Sequence, residues 1–415
     1  MKYARRCCAS LLLGLLVSLQ LAYGQTNSEL LLIARAIHER IMTLDTHVDI
    51  PFDFATGDVD PAIRPEAQVD LASMEAGGLD AAFFIVYVGQ QERTAANYAR
   101  ARRDALTKFD AIHRMANDLY PGRIGLATTA AEAQAVHASG RLVALIGIEN
   151  GFVIGTDLSV LEDFRNRGAR YMTLVHNGHN DIGDSAQPQT RLGDAEAEHG
   201  GLSQFGYEVV AELNRLGILV DISHVSRQTM LDATRASRAP VIASHSSVTS
   251  VADHPRNMND EQLLALQANG GVIQIVAFDS YVKLVPGEKT AALAALRSEF
   301  GIRSGNGVAT LSATEQTAYE AGLAEIDATW PRSNVDEFVD HIDYAVNLIG
   351  IDHVGISSDF GGGGGVDGWD SAGETLNVTL ELVRRGYNEE DIAKLWSGNV
   401  LRILAEAEAI SRQLR

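Results

Sequence analysis

Cysteine is almost absent from this sequence, whose 415 residues include only Cys7 and Cys8. Both precede the apolar run near the N-terminus, so the rest of the chain can form no disulfide and offers no thiolate as a metal ligand or nucleophile. The Gly-x-Ser-x-Gly motif of serine hydrolases is also missing. These absences direct attention to histidine and carboxylate side chains.

Positive charge is scarce as well. The sequence has 34 lysines and arginines against 54 aspartates and glutamates, which gives a formal net charge of −20. This excess of negative charge argues against nucleic acid and against anionic membrane surfaces as partners. Hydrophobic residues make up 46% of the sequence, which is ample for a sizeable core.

The N-terminus has the pattern of a secretory signal peptide. The cations Lys2, Arg5 and Arg6 precede the apolar run Leu11–Leu21, and a cleavage site follows at residues 22–24. The run is too short to span a membrane comfortably. The pattern predicts a cleaved segment at residues 1–24, export to a bacterial periplasm and no stable membrane anchor. Residues 25–415 are then expected to form a single domain.

Short apolar segments alternate with helical patterns along the rest of the chain. Eight of these segments are nearly uninterrupted, as expected for parallel strands that are buried on both faces. Their alternation with helices is the pattern of an α/β fold of the (β/α)8, or TIM barrel, type. The first predicted strand begins at Ile41, and the others cover residues 81–88, 142–148, 171–175, 219–222, 241–243, 271–276 and 353–356. The predicted helices include Gln204–Leu216 and, after the last strand, Ser371–Arg385 and a final helix from Glu389 to about Ala407.

The interval between the seventh and eighth predicted strands is unusually long. Phe278 to Trp330 exceeds the length of one crossover helix, so it predicts an insertion at about residues 278–330 with helices of its own. A lid and an oligomer contact are the two alternatives for this insertion, and a homodimer is the oligomer that the second alternative predicts.

Residue types that bind metals or transfer protons follow the predicted strands. In a barrel the carboxyl ends of all strands meet at one mouth, where active sites are built. Histidines scattered through a core would not respect strand ends, so the whole set predicts a site. The set consists of His47, Asp49, Glu149, His176, His224, His245 and Asp359.

This ligand set contains only nitrogen and oxygen donors. Such donors suit Zn2+ and would also accept Mn2+, Co2+ or Fe2+. Three histidines and two carboxylates are too many for one tetrahedral ion with an open position, and two ions that share a carboxylate fit better. A pair of ions can hold a hydroxide between them and polarise a carbonyl group.

Several short motifs together resemble the membrane dipeptidase, or renal dipeptidase, family of binuclear zinc peptidases, which is related to the amidohydrolase barrels. The resemblance extends from about Asp45 to Leu404 and is weak over the predicted insertion. Each motif is weak alone, but their order is specific. The motifs cover residues 45–51, 147–151, 174–180, 219–226, 244–246, 254–257, 352–360 and 398–402.

The resemblance implies two zinc ions per chain and assigns their ligands. His47, Asp49 and Glu149 would hold one zinc ion. The second would be held by His224 and His245, together with Glu149 as the shared carboxylate.

The resemblance also implies catalytic and substrate-binding roles. His176 would contact the scissile carbonyl group and its developing oxyanion. Arg256 would bind the substrate carboxylate, and Asp359 would take the proton of the bridging water and pass it to the leaving amine. Glu149 counts as catalytic because it would bridge the two metals.

The activity implied by the resemblance is zinc-dependent hydrolysis of L,L and L,D dipeptides by a hydroxide that bridges the metals. The open alternative is another amidohydrolase activity on carboxylate-bearing amides, such as N-acyl amino acids or β-lactams. Arg256 favours a substrate with a carboxylate but does not demand a dipeptide.

Overall fold

The structure, a computed structural model, describes residues 26–64, 66–302 and 311–415. Eight parallel strands follow one another around a sheet in the order β1-β2-β4-β5-β6-β7-β8-β9, and a short ninth strand, β3, pairs with β4. The strands are β1 (Leu44–Asp49), β2 (Ala81–Tyr87), β3 (Ile124–Leu126), β4 (Leu142–Glu149), β5 (Ala169–Thr173), β6 (Leu219–Asp221), β7 (Ile242–Ser246), β8 (Val272–Val276) and β9 (Val354–Ser357).

The first and last strands meet, so the sheet closes into a barrel. The backbone N–H of Asp49 donates to the carbonyl oxygen of Phe360 at 2.8 Å, and Val48 forms a parallel bridge with Phe360. Both contacts lie where these strands end, beside the predicted site. The predicted (β/α)8 barrel is confirmed.

Helices follow the strands as the sequence pattern predicts. For example, the helix predicted at Gln204–Leu216 covers the same residues in the structure, because Ser203 caps its first turn and Gly217, with φ of 71°, ends it. The helices are α1 (Asn27–His38), α2 (Leu71–Gly77), α3 (Ala95–His113), α4 (Ala130–Ala138), α5 (Val160–Asn166), α6 (Gln204–Leu216), α7 (Arg227–Ala236), α8 (Asp260–Asn269), α9 (Asp279–Val282), α10 (Gly287–Glu299), α11 (Ala313–Thr329), α12 (Val335–Ile349), α13 (Leu376–Arg384), α14 (Glu389–Ala393) and α15 (Asn399–Leu414).

An insertion lies between β8 and β9, as predicted. Helices α9, α10 and α11 fall within it, and α12 then leads into β9. Residues 303–310 of this interval lie outside the described residues.

Alternate residues of each strand face two different cores. Val143 and Leu145 of β4 belong to the core inside the barrel, whereas Ala144 and Ile146 belong to the larger core between the barrel and its helices. The same alternation points Glu149, at the end of β4, into the barrel mouth. The position of a residue in this alternation therefore decides whether its side chain, at the end of a strand, can reach the site.

One glycine makes room for an aromatic residue beneath the site. A Cβ atom on Gly147 would lie only 2.2 Å from Cζ of Tyr171, which is fully buried. The Tyr171 ring thus occupies the space beside β4, and its hydroxyl reaches β1, where it donates to the carbonyl oxygen of Thr46 at 2.9 Å.

Some local predictions were wrong. The strand β3 was not predicted, and the helix predicted to start at Ser371 begins as α-helix only at Leu376. The final helix predicted from Glu389 is divided by a π-helical turn at Lys394–Gly398. Short extended segments and turns of this kind depend on tertiary contacts rather than on local periodicity.

None of the described helices combines the length and the apolar character that crossing a membrane requires. The predicted signal segment, residues 1–24, lies outside the described residues.

Candidate metal centre

The barrel mouth brings the seven predicted strand-end residues together around Glu149. Its Oε1 lies 3.0 Å from Nε2 of His224, 3.3 Å from Nε2 of His245 and 3.6 Å from Nε2 of His176. Its other oxygen, Oε2, lies 3.6 Å from Nε2 of His47. One buried carboxylate thus faces histidines from four different strand ends.

A second group of carboxylates surrounds His47. Its Nε2 lies 3.4 Å from Oδ2 of Asp49 and 3.8 Å from Oδ1 of Asp359. The pairing of β1 with β2 shifts register between Asp45 and Val48. A bulge of this kind re-aims side chains, and here both His47 and Asp49 reach the mouth.

The second ring nitrogen of three histidines is held by a polar group, which fixes the orientation of each ring. Nδ1 of His47 contacts the Tyr171 hydroxyl at 3.1 Å. Nδ1 of His224 contacts Oδ1 of Asn177 at 3.1 Å, and Nδ1 of His245 contacts the neighbouring Ser244 hydroxyl at 2.8 Å. In each case Nε2 is the atom that faces the site.

A buried aspartate organises the backbone behind His245. Asp221 accepts hydrogen bonds from the backbone N–H groups of Ser223 and Ser244 at 3.0 and 2.9 Å, and from the Ser244 hydroxyl at 2.7 Å. Asp221 therefore reaches His245 indirectly, through Ser244 and through Ser223, whose hydroxyl accepts from the His245 N–H at 3.0 Å. Asp45 has a similar place behind β1, where it accepts hydrogen bonds from the backbone and hydroxyl of Ser358.

The backbone is strained at two residues of the site. His224 has φ of 65° and Asp359 has φ of 60°, in the left-handed region that residues with a Cβ atom seldom adopt. Such strain costs about 1–3 kcal/mol per residue and persists only where surrounding contacts enforce it. It lies here at the ends of β6 and β9, where each side chain turns toward Glu149 or His47.

The electrostatic environment keeps two histidines neutral. Burial holds the pKa values of His224 and His245 well below the ordinary value, and the positive charge of Arg256 acts on both in the same direction. A neutral imidazole is the form that can donate a lone pair to a metal.

The carboxylates attract positive charge at His47. Burial opposes protonation of this histidine, but Glu149 and Asp49 outweigh it and raise its pKa well above the ordinary value. Burial also raises the pKa of Asp359 well above its usual range, and the charges of Asp49 and Glu149 add to that increase. The electrostatic potential around His47 and Asp359 therefore favours a bound cation.

These residues fit bound metal ions. Nε2 of His47 is buried without a hydrogen-bond partner, although oxygens of Asp49, Glu149 and Asp359 lie 3.4, 3.6 and 3.8 Å away. Donor atoms within 4.8 Å of one another form three overlapping groups, each able to hold an ion. The groups are His47–Glu149–His245, Glu149–His176–His224 and His47–Asp49–Asp359.

Arg256 lies directly behind the histidines. The side chain is buried, and its Nη2 donates to the carbonyl oxygen of His245 at 3.0 Å. Its guanidinium carbon lies 5.4 Å from the ring centroid of Tyr281, and Nε has no hydrogen-bond partner. Among the described residues no carboxylate forms an ion pair with it.

The metal-binding candidates open into a cleft of about 600 Å³. Sequence reasoning missed several of its lining residues, among them Tyr87, Lys108 and Tyr281. Tyr87 faces the mouth because it continues the inward face of β2, and the alternation of side chains along a strand predicts this direction. Nothing in the sequence indicates that Lys108 faces the cleft, since a lysine on a charged helix ordinarily faces solvent.

Comparison with known proteins identifies a family. The family model for membrane dipeptidases, Peptidase family M19, matches residues 32–415. The dipeptidase aclJ of Aspergillus oryzae is 33% identical over 352 residues, which are 84% of this chain and 72% of aclJ. The dipeptidase tcpJ of Claviceps purpurea is 31% identical over 366 residues, 87% of this chain and 74% of tcpJ.

Solved structures give the same result. The probable dipeptidase PvdM from Pseudomonas aeruginosa superposes with a TM-score of 0.81 at 33% identity, covering 92% of this chain and 99% of PvdM. A Rhodobacter sphaeroides metallo peptidase, liganded with a phosphinate mimic of the dipeptide L-Ala-D-Ala, shares the fold with a TM-score of 0.65 at 23% identity, covering 88% and 99% of the two chains. The match over nearly the whole sequence shows that the chain belongs to the membrane dipeptidase family and is a metallo-dipeptidase, an enzyme that hydrolyses peptide bonds.

Proposed function

We propose that this protein is an exported, zinc-dependent dipeptidase that holds two ions per chain. The observation that carries the proposal is Glu149, a single buried carboxylate whose two oxygens face different histidines. A carboxylate in this position can be shared between two ions, as a binuclear hydrolase requires.

The ligand assignment follows from the contacts of Glu149. His47 and Asp49 would hold one ion on the Oε2 side, and His224 and His245 would hold the other on the Oε1 side. When bound, the two ions supply Lewis acidity and an activated water. The nitrogen and oxygen donor set favours zinc.

The remaining residues act on the substrate and its protons. His176 lies beside Glu149 and partly faces the cleft, so it can donate a hydrogen bond to the carbonyl oxygen as negative charge develops there. Asp359 lines the same cleft within 3.8 Å of His47, where it can accept a proton and return it to the leaving amine.

Arg256 provides the limit on substrate length. A guanidinium behind the site can bind a carboxylate through two parallel hydrogen bonds. Tyr281 lies over Arg256 and also lines the cleft, so it can contact the same carboxylate. A dipeptide presents its carboxylate one residue beyond the scissile bond, and a tripeptide presents a neutral amide there.

We infer that the substrates include both L,L and L,D dipeptides. The bound phosphinate of the Rhodobacter relative mimics L-Ala-D-Ala, which supports a D-residue on the carboxyl side here. N-acyl amino acids and β-lactams remain the alternative substrates, because they also carry a carboxylate near an amide bond.

The test is a substrate panel on zinc-loaded protein, with Glu149→Gln as the inactive control. The panel compares L,L and L,D dipeptides with tripeptides, dipeptide amides and N-acyl amino acids. We expect hydrolysis of dipeptides and little hydrolysis of the other three classes. Faster hydrolysis of N-acyl amino acids than of any dipeptide would overturn the proposal.

A further inference from the structure

One wall of the cleft contains a buried ammonium group that the proposed reaction does not use. Lys108, on α3, is only 4% exposed, yet it lines the cleft. Its Nζ lies 4.9 Å from the ring centroid of Phe52 and 5.6 Å from that of Tyr87. Among the described residues no carboxylate forms an ion pair with it.

An ammonium in this position lacks the partner that burial normally demands. Aromatic faces compensate a desolvated cation only in part, and a buried charge ordinarily has an opposite charge beside it. Burial lowers the pKa of Lys108, while the charges of Asp49 and Glu149, which do not contact it, act in the opposite direction. An anionic group of a ligand would complete the environment.

The order of the strands places Lys108 across the mouth from Arg256. Lys108 lies on α3, which follows β2, and Arg256 follows β7. These two strands are the second and the sixth of eight around the barrel. A dipeptide whose carboxylate contacts Arg256, and whose peptide bond lies at Glu149, therefore directs its N-terminal residue toward Lys108.

Other cations lie near the same wall, although the whole chain has a net charge of −20. Arg64 lines the cleft, and its only described ion pair is a 3.8 Å contact with the largely exposed Glu66. Arg191 is close enough to lower the pKa of Tyr87, against the larger effects of burial and the site carboxylates, which raise it. Arg64 and Lys108 are thus the cationic side chains of the cleft lining, which also contains the carboxylates of Asp49, Glu66, Glu149 and Asp359.

We propose that Lys108 is a specificity-determining residue that binds an acidic side chain on the N-terminal residue of the substrate. This inference rests on the proposed dipeptidase function. The substrate class is a dipeptide with N-terminal aspartate or glutamate. The rings of Phe52 and Tyr87 flank Nζ and can also pack against the methylene groups of such a side chain, while its carboxylate pairs with the ammonium.

The test compares kcat/KM for Glu-Ala and Gln-Ala, which differ in charge but hardly in shape. In the zinc-loaded wild-type protein we expect Glu-Ala to be preferred by at least about tenfold, as for a close charge pair in a desolvated site. Lys108→Met keeps the length and apolar stem of the side chain, and it should lower this preference by about tenfold. Lys108→Glu should reverse the charge preference, so that Lys-Ala is hydrolysed faster than Glu-Ala.

A matched control is Lys394→Met, which removes the same charge from a lysine paired with Asp352 at 3.0 Å outside the cleft. It should leave the preference unchanged. The inference is overturned if the wild-type protein shows no preference for Glu-Ala, and this measurement needs no variant. It is also overturned if Lys108→Met retains the wild-type preference. Hydrolysis of Ala-Ala in the same assay separates these outcomes from failure of the dipeptidase function itself, which would leave no dipeptide hydrolysed.

Discussion

At the scale of single residues, the strand-end rule located the candidate metal ligands but not the groups that hold them. His47, His224 and His245 follow apolar strands, so the sequence alone predicted their convergence. Tyr171 orients the His47 ring from across the barrel, and Asn177 orients the His224 ring from the neighbouring strand end. Such contacts depend on barrel closure and on strand register, which local sequence patterns do not specify.

Arg256→Ala should discriminate between acid and amide substrates. The guanidinium is buried and has no described acidic partner, so its charge is available to a substrate carboxylate. We expect a loss of roughly 2–5 kcal/mol in transition-state binding for dipeptides, as for truncation of a desolvated charge pair. The loss for dipeptide amides should be much smaller. Measured kcat/KM values that fall equally for acids and amides would contradict this role.

Asp359→Asn should lower the rate while the protein still binds metal. Asp359 lies near both His47 and Asp49, so its position allows either proton transfer or metal ligation. Loss of a proton relay should lower kcat by about a hundredfold to ten-thousandfold. Elemental analysis of the variant decides between the roles, because a variant that has lost its ions would show that Asp359 is mainly a ligand.

At the scale of elements, the packing of two strands supports the site from below. β4 contributes Glu149, and β5 contributes Tyr171, whose ring fills the space that Gly147 leaves free. The sequence predicted both strands, because each is a continuous apolar run. It did not predict the short β3, which pairs with β4 through only three residues and has no periodicity to detect.

Gly147→Ala should therefore weaken metal binding as well as the fold. A methyl group there would lie 2.2 Å from the Tyr171 ring, so the ring must move away from His47. Overpacking of this kind costs about 1–3 kcal/mol of unfolding free energy. Loss of the Tyr171 contact should reduce zinc affinity by about ten- to hundredfold. Denaturant unfolding and zinc titration measure the two effects.

The matched control is Gly122→Ala, where a new Cβ would meet nothing within 4 Å. It should change neither the free energy of unfolding nor the zinc affinity. Tyr171→Phe provides a complementary comparison, because it keeps the ring but removes the hydroxyl that contacts His47. If Tyr171→Phe retained the wild-type zinc affinity, the hydroxyl would have no part in holding the ligand.

At the scale of the whole molecule, the candidate metal centre connects distant parts of the chain. The strand ends that supply its ligands are separated by up to half of the sequence, and the barrel closes beside them through Asp49 and Phe360. The sequence predicted this architecture because α/β alternation is periodic. The cation on the opposite wall, Lys108, was not predicted, because the helix that places it there is otherwise an ordinary charged surface helix.

Metal removal should destabilise the whole barrel rather than one loop. Asp49, Glu149 and Asp359 are close together, and their mutual repulsion is offset when cations bind between them. Ions that bind only the folded state add stability by mass action, about 2.7 kcal/mol at a free concentration one hundred times Kd. Chelated protein should therefore unfold cooperatively at a lower temperature, and zinc should restore the Tm with an endpoint at two equivalents per chain. An endpoint at one equivalent would contradict the binuclear assignment, and Glu149→Gln should show little response to zinc, since the shared carboxylate is the ligand that both ions need.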